Sequence, residues 1–236
     1  MLDQAHPSRK LAAPAAARTW RVIVLLAVIA FSGCQSVMML GYLIGGPPTV
    51  EPDFHKKTNK ETLKGKKKVT LVYCYAPKEL KFDNESVDYD LAKHVAYQLN
   101  GNDIKVVDPD RVYAWLDKNW RWKKPSEIGA AFKCNYIIHI DLMDYSLFEA
   151  NSTYLNRGRA DCIVNVIKMD EDRKDGTVIY TRPIKSNFPI RGPIDSNTMP
   201  QNEFKKRYLS FLSDEIGRLF YSTETGNDIP NGMLDQ

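Results

Sequence analysis

Apolar and polar positions divide the chain into three stretches of different character. Val22 to Phe31 (VIVLLAVIAF) is unbroken apolar sequence, and Val37 to Ile44 (VMMLGYLI) nearly so. Residues 45–68 (GGPPTVEPDFHKKTNKETLKGKKK) show no period and are rich in Pro, Gly and Lys, which predicts a tether. From Val69 onward, short apolar runs alternate with polar ones. Val69 to Tyr75 (VTLVYCY) predicts a strand buried on both faces. Val87, Leu91, Val95 and Leu99, four apart, predict a helix with Asp83, Asn84 and Ser86 as candidate caps and a stop at Asn100-Gly101. Ile104 to Val107 reads as a short strand, and Asp108-Pro109 as an N-cap with proline in the first turn of the next helix. Pro125 opens another helix. Tyr136 to Met143, Ala160 to Met169 and Thr177 to Ile184 read as three strands of an antiparallel meander. In the first of these, Tyr136, Ile138, Ile140 and Leu142 share one face, and Ile137, His139, Asp141 and Met143 the other. Residues 151–158 and 186–198 read as loops. A capping box at Thr198-x-x-Gln201 starts a last helix with Phe204, Tyr208, Phe211, Leu212, Leu219 and Phe220 inward. The order β-α-β-α-α-β-β-β-α predicts an α/β domain with a mixed sheet over residues 69–224, followed by a polar tail, 225–236.

Composition narrows the class. The 236 residues are 43% hydrophobic and 26% charged, which is ordinary for a globular chain. The formal charge of +4 is uneven: residues 1–33 carry Arg9, Lys10, Arg18 and Arg21 against Asp3 alone, and the rest holds 29 basic and 28 acidic residues. So even a balance argues against nucleic acid as a partner. Cys34, Cys74, Cys134 and Cys162 lack metal-ligand spacing, and Cys74 and Cys162 lie in apolar runs, where free thiols pack like small hydrophobes.

The amino-terminal stretch sets the location. Residues 1–21 are basic and poor in acid, as an export signal is, and ten apolar residues fit its central region better than a membrane span of ~20. Phe31-Ser32-Gly33-Cys34 resembles the bacterial lipobox, with Phe31 where Leu is usual. The resemblance implies cleavage before Cys34 and lipidation of its thiol. Gln35, where an Asp would favour retention in the inner membrane, implies the outer membrane. Val22 to Ile44 also reads as an uncleaved single-pass anchor, with Val22, Leu25, Leu26, Ile29 and Phe31 in the bilayer and the basic flank inside. Either way residues 1–33 are a signal or anchor, residues 34–68 a basic tether, and the remainder extracytoplasmic. The tether lysines, Lys56, Lys57, Lys60, Lys64, Lys66, Lys67 and Lys68, are suited to solvent or to anionic headgroups.

Within the body, Val107-Asp108 before a helix, and Gly129-Ala130-Ala131 running through Lys133 into the strand ending at Leu142, resemble the pattern of the TolB amino-terminal domain and the curli-secretion-channel lipoprotein. His139 stands where that pattern carries Gly. The resemblance covers residues 69–222 and implies a fold and an envelope setting; its motifs are structural, and fold alone does not carry an activity. Few groups suggest chemistry. His139 and Asp141 share a strand face, with His94 the other histidine of the body. Trp120 and Trp122 flank Arg121, a candidate contact for a protein partner. No glycine-rich phosphate loop, GxSxG or HExxH occurs in the sequence, and none of the patterns calls for a cofactor. The expectation is a non-enzymatic, membrane-anchored envelope lipoprotein that binds a protein partner or self-assembles. The alternative is an envelope hydrolase or metal-binding enzyme using His139 and Asp141.

Overall fold

The computed structural model describes residue 46 and residues 48–224. Its elements in order are β1 (Thr49–Val50), α1 (Asp53–Lys57), β2 (Thr70–Tyr75), α2 (Lys78–Asp83), α3 (Val87–Gly101), α4 (Pro109–Lys118), α5 (Pro125–Phe132), β3 (Tyr136–Phe148), β4 (Leu155–Met169), β5 (Gly176–Phe188), β6 (Ile194–Asp195), α6 (Gln201–Gly217) and β7 (Thr223–Glu224). The main sheet runs β2-β3-β4-β5, with β6 on β4. Strands β2 and β3 are parallel, so a crossover must join them, and α2 to α5 form it. Strands β3, β4 and β5 form an antiparallel meander. The chain therefore adopts the mixed α/β class that its sequence pattern predicts.

Strand alternation gives the sheet two unlike faces. On the first, Val72, Cys74, Ile138, Ile140, Leu142, Cys162, Val164 and Val166 are buried. Helices α3 and α6 cover this face, contributing Leu91, Val95, Leu99, Phe204, Tyr208 and Leu212. Tyr208 lies so close over Gly158 that a Cβ there would stand 2.3 Å from the ring. On the second face, Leu71, Ile137 and Ile167 pack under Val112 of α4 and Ile128 of α5.

Local signals succeed where capping chemistry is explicit. Asp108 accepts a hydrogen bond from the Asp110 amide at 3.0 Å, as the Asp-Pro pair predicts. The expected box at Thr198 does not form: Pro200 holds the N-cap position of α6, and the Thr198 amide instead donates to the Asp195 carbonyl. The expected strand over Ile104 to Val107 reduces to one bridge, Thr70 to Val106, since Asp103 in the left-handed region and the Asp108 cap leave little extended backbone between them. Strands β4 and β5 run beyond their expected bounds, because Asn156 and Phe188 are buried in positions whose local pattern reads as loop.

The largest correction concerns residues 49–68, expected to be tether. They fold onto the body. β1 pairs antiparallel with β7, which ties the segment to Thr223 and Glu224 at the far end of the body sequence. Phe54 and Leu63 are fully buried. Phe54 meets the rings of Tyr180 and Phe220 at 5.4 and 5.6 Å, and its amide donates to the Leu219 carbonyl at 3.0 Å. Glu61 pairs with Lys168 and accepts from the Tyr136 hydroxyl at 2.7 Å. Two apolar anchors nine residues apart have no helical or strand period, which is why their pattern reads as linker.

Helix α6 buries one misfit. The Oε2 of Glu215 is enclosed beside the buried hydroxyls of Ser186 and Tyr208. Burial, with Asp214 adding to it, pushes the Glu215 carboxyl up to about 6; Ser186 and Arg218 only partly oppose this.

Two outcomes follow. Phe54→Ala should cost about 3–5 kcal/mol in a denaturant melt, whereas a substitution in a free tether would cost nothing. A raised folded-state carboxyl favours the folded chain fully below the unfolded value near 4.5 and loses that contribution as pH rises through about 6. Glu215→Gln should therefore match the wild type in melting temperature near pH 4 and exceed it near pH 8. The difference corresponds to about 2 kcal/mol.

Candidate interaction face

The register of the four strands arranges the second face in rows. The first row, Leu71, Ile137, Ile167 and Val178, is apolar and mostly roofed by α4 and α5. The next, Tyr73, His139, Asn165 and Thr181, is mixed. Then comes Tyr75, Asp141, Ile163 and Pro183. Beyond it lie Asp144, Asp161 and Lys185, with Met143 in the bulge between Leu142 and Asp144. The helical roof stops at the Tyr73 row. Above it, Tyr75 is 53% and Met143 50% exposed, on the same side of the sheet as the part-exposed Ile163 and the exposed Pro183.

Tyr73 marks the boundary. Its ring stacks flat on His139, with centroids 4.6 Å apart, and takes the edge of Trp122 at 5.7 Å. His139 is half-buried, its Nε2 has no partner, and burial lowers its affinity for a proton; nearby Asp141 only partly restores it. His139 and Asn165 line a cleft of about 460 Å³ whose other wall is the start of α5 and the turn before β5. There Lys124 and Asp175 pair at 3.5 Å. The Asp175 carboxyl is held low by the Gly176 amide, then by Ser126 and Lys124.

The structure separates several residues that the sequence puts side by side. Trp122 packs on Tyr73, while Trp120 is 71% exposed with the Arg121 guanidinium 4.5 Å from its ring centre. Trp122 is thus a core edge and Trp120 a surface group, and both line one shallow groove with Trp115 and Glu127. His139 and Asp141 do share a face, in adjacent rows. His94 lies on α3, near Asp90 and Lys205, and so across the sheet from His139. Among the described residues no three metal-ligating side chains converge. Cys74, Cys134 and Cys162 are free and buried. Burial raises all three thiols, Cys134 and Cys162 to about 12 and Cys74 well above its ordinary value, so they sit as packed thiols rather than thiolates. Cys34 and the anchor residues Val22, Leu25, Leu26, Ile29 and Phe31 lie outside the described residues, and so does the candidate span Val22 to Ile44. Among the described residues no helix is long and apolar enough to cross a membrane.

The row of Tyr75, Ile163 and Pro183 was missed by sequence reasoning. Strand parity carries the signal, since Tyr75 follows Tyr73 by two and Ile163 precedes Asn165 by two, but it becomes visible only once the register between strands is known.

No family model matches the sequence, and no curated protein matches it. Solved structures similar in shape include the PelC dodecamer from Paraburkholderia phytofirmans, at 11% identity and a TM-score of 0.39, covering 74% of this chain and 96% of that one. Lipoprotein GNA1162 from Neisseria meningitidis is similar at 11% identity and 0.40, covering 63% and 97%. A minor lipoprotein from Acinetobacter baumannii is similar at 10% and 0.27, covering 65% and 90%.

Proposed function

We propose that this chain is a non-enzymatic lipoprotein of the bacterial envelope, anchored through Cys34, with the outer membrane as its residence. Its body binds a protein partner or a second copy of itself through the open rows of the sheet. The observation that carries this reading is the uncovered row of Tyr75, Asp141, Ile163 and Pro183, lying directly beyond the point where the helical roof ends. Antiparallel sheets that face water alternate apolar-in and polar-out; here apolar and aromatic groups stand on the outward side, next to Met143. Such groups, with a polar rim, are what protein interfaces bury. The resemblance to the TolB amino-terminal pattern suggests the same setting. The non-enzymatic reading is supported by His139, which is stacked against Tyr73 rather than paired with an activating group, and by buried thiols held protonated.

A photo-crosslinking residue in place of Met143 should give a discrete adduct in native membranes, of a partner or of two copies. The same residue in place of Tyr97, 77% exposed on α3 and on the far side of the sheet, should not. Absence of adducts from both Met143 and Tyr75 would reject the open face as an interface. Mass measurement of the mature protein should find a diacylated peptide starting at Cys34; an intact peptide across Arg21 to Gly45 would replace lipidation with the uncleaved anchor.

A further inference from the structure

The folding of residues 49–68 onto the body changes what their lysines can do. On a flexible tether, seven lysines would be a diffuse charge. Here they are held on a defined surface. The three carboxylates of the segment are occupied: Glu51 by His55, Asp53 by Lys57 and the Tyr180 hydroxyl, Glu61 by Lys168 and the Tyr136 hydroxyl. Lys68 is also engaged, with its Nζ donating to the Thr62 carbonyl and lying 5.5 Å from the centre of the Tyr136 ring. That leaves Lys56, Lys60, Lys64, Lys66 and Lys67, all exposed and without an acidic partner among the described residues. Two turns present three of them. The Glu61 amide bonds to the Thr58 carbonyl, which puts Asn59 and Lys60 at one tip; the Lys68 amide bonds to the Gly65 carbonyl, which puts Lys66 and Lys67 at another.

Charge is distributed unevenly over the body. Residues 49–68 hold seven lysines against Glu51, Asp53 and Glu61, a surplus of four, whereas residues 69–236 hold 22 basic and 25 acidic residues. The basic surface lies at one end of the sheet, where β2 and β3 begin and β4 finishes, because Glu61 reaches Tyr136 and Lys168 there. The chain enters the body at Thr49, beside Glu224, and the adjoining Glu51, Pro52 and Ser222 share a groove with Thr62 and Lys64. The turn between β4 and β5 adds Asp170 and Glu171 at the same end and bounds the surface on that side, while Asp172 and Asp175 are paired with Lys174 and Lys124.

We infer that this end of the body is a docking surface for the anionic headgroups of the bilayer that holds the anchor. The inference rests on the anchoring proposed above for its location, and on the folded lysine turns for its chemistry. Basic residues beside an anionic surface each contribute about 1 kcal/mol, or roughly fivefold in partitioning. Docking there would hold the open rows of the sheet in a fixed orientation to the membrane.

The test uses the full chain, with lysine acetylation read by mass spectrometry in bilayer discs of phosphatidylcholine alone or with phosphatidylglycerol. Lys60, Lys66 and Lys67 should be protected several-fold only in the anionic discs, and released by salt, while Lys185 in the open rows stays equally reactive in both. Flotation with vesicles of the same two compositions is the second readout. Lys60→Asn with Lys66→Gln and Lys67→Gln, all at exposed turn tips, should lose on the order of a hundredfold of the anionic preference. Equal labelling in both discs overturns the inference and leaves the anchor standing. Failure to enter discs, with salt-sensitive flotation on anionic vesicles alone, overturns the anchor and supports the docking surface. Failure of both, or binding to a soluble polyanion without binding to the vesicles, overturns the docking surface.

Discussion

The structure depends on how far each face of one sheet is sealed. A four-stranded core sheet must bury apolar side chains on at least one face, and burial contributes about 25 cal/mol per Å² of apolar surface. Here α3 and α6 seal the first face along the length of the strands, and 13-residue β3, 15-residue β4 and 13-residue β5 extend beyond the reach of the second helical layer. Helices α4 and α5 are short, of ten and eight residues, and close only one end of the second face. The parallel pairing of β2 with β3 demands the crossover that supplies those helices, so the open rows are a direct result of strand length exceeding crossover length.

Much of this was legible in the chain. The run from Val69 to Tyr75 marks a strand, β2, which is the sheet's parallel partner and is covered on both sides from Thr70 to Cys74, while Tyr75 at its end lies open. Asp108-Pro109 and Pro125 mark the starts of two helices through the chemistry of their first turns. Tyr136 to Met143 shows both faces by simple alternation. What escaped notice depends on contacts between distant residues. Phe54 and Leu63 look incidental among lysines, because the partners of Phe54, Tyr180 and Phe220, lie more than a hundred positions away. Pairing of Tyr75, Asp141, Ile163 and Pro183 requires the register of three strand pairs, and no local pattern specifies that.

His139 shows why adjacency in sequence is a weak guide to chemistry. A histidine and an aspartate two apart on a strand do point the same way, but the imidazole is already in contact with the Tyr73 ring, and Tyr73 in turn with Trp122. The three rings form a continuous aromatic edge to the helical layer. The tryptophan doublet likewise divides its labour: Trp122 completes that edge, and Trp120 stays outside with Arg121 over its ring.

The short pairing of Thr49–Val50 with Thr223–Glu224 has a mechanical consequence. The chain comes into the body and departs from it through one two-residue ladder. Tension applied from the amino-terminal side would open this ladder first and at low force, because hydrogen-bonded and non-bonded pairs alternate along antiparallel strands and two residues carry few bonds. The load would then meet Phe54, wedged between Tyr180 and Phe220, and its amide on Leu219. The ladder thus acts as a compliant link in series with a stiff one, so strain from the attachment point reaches the sheet only after the ladder has opened.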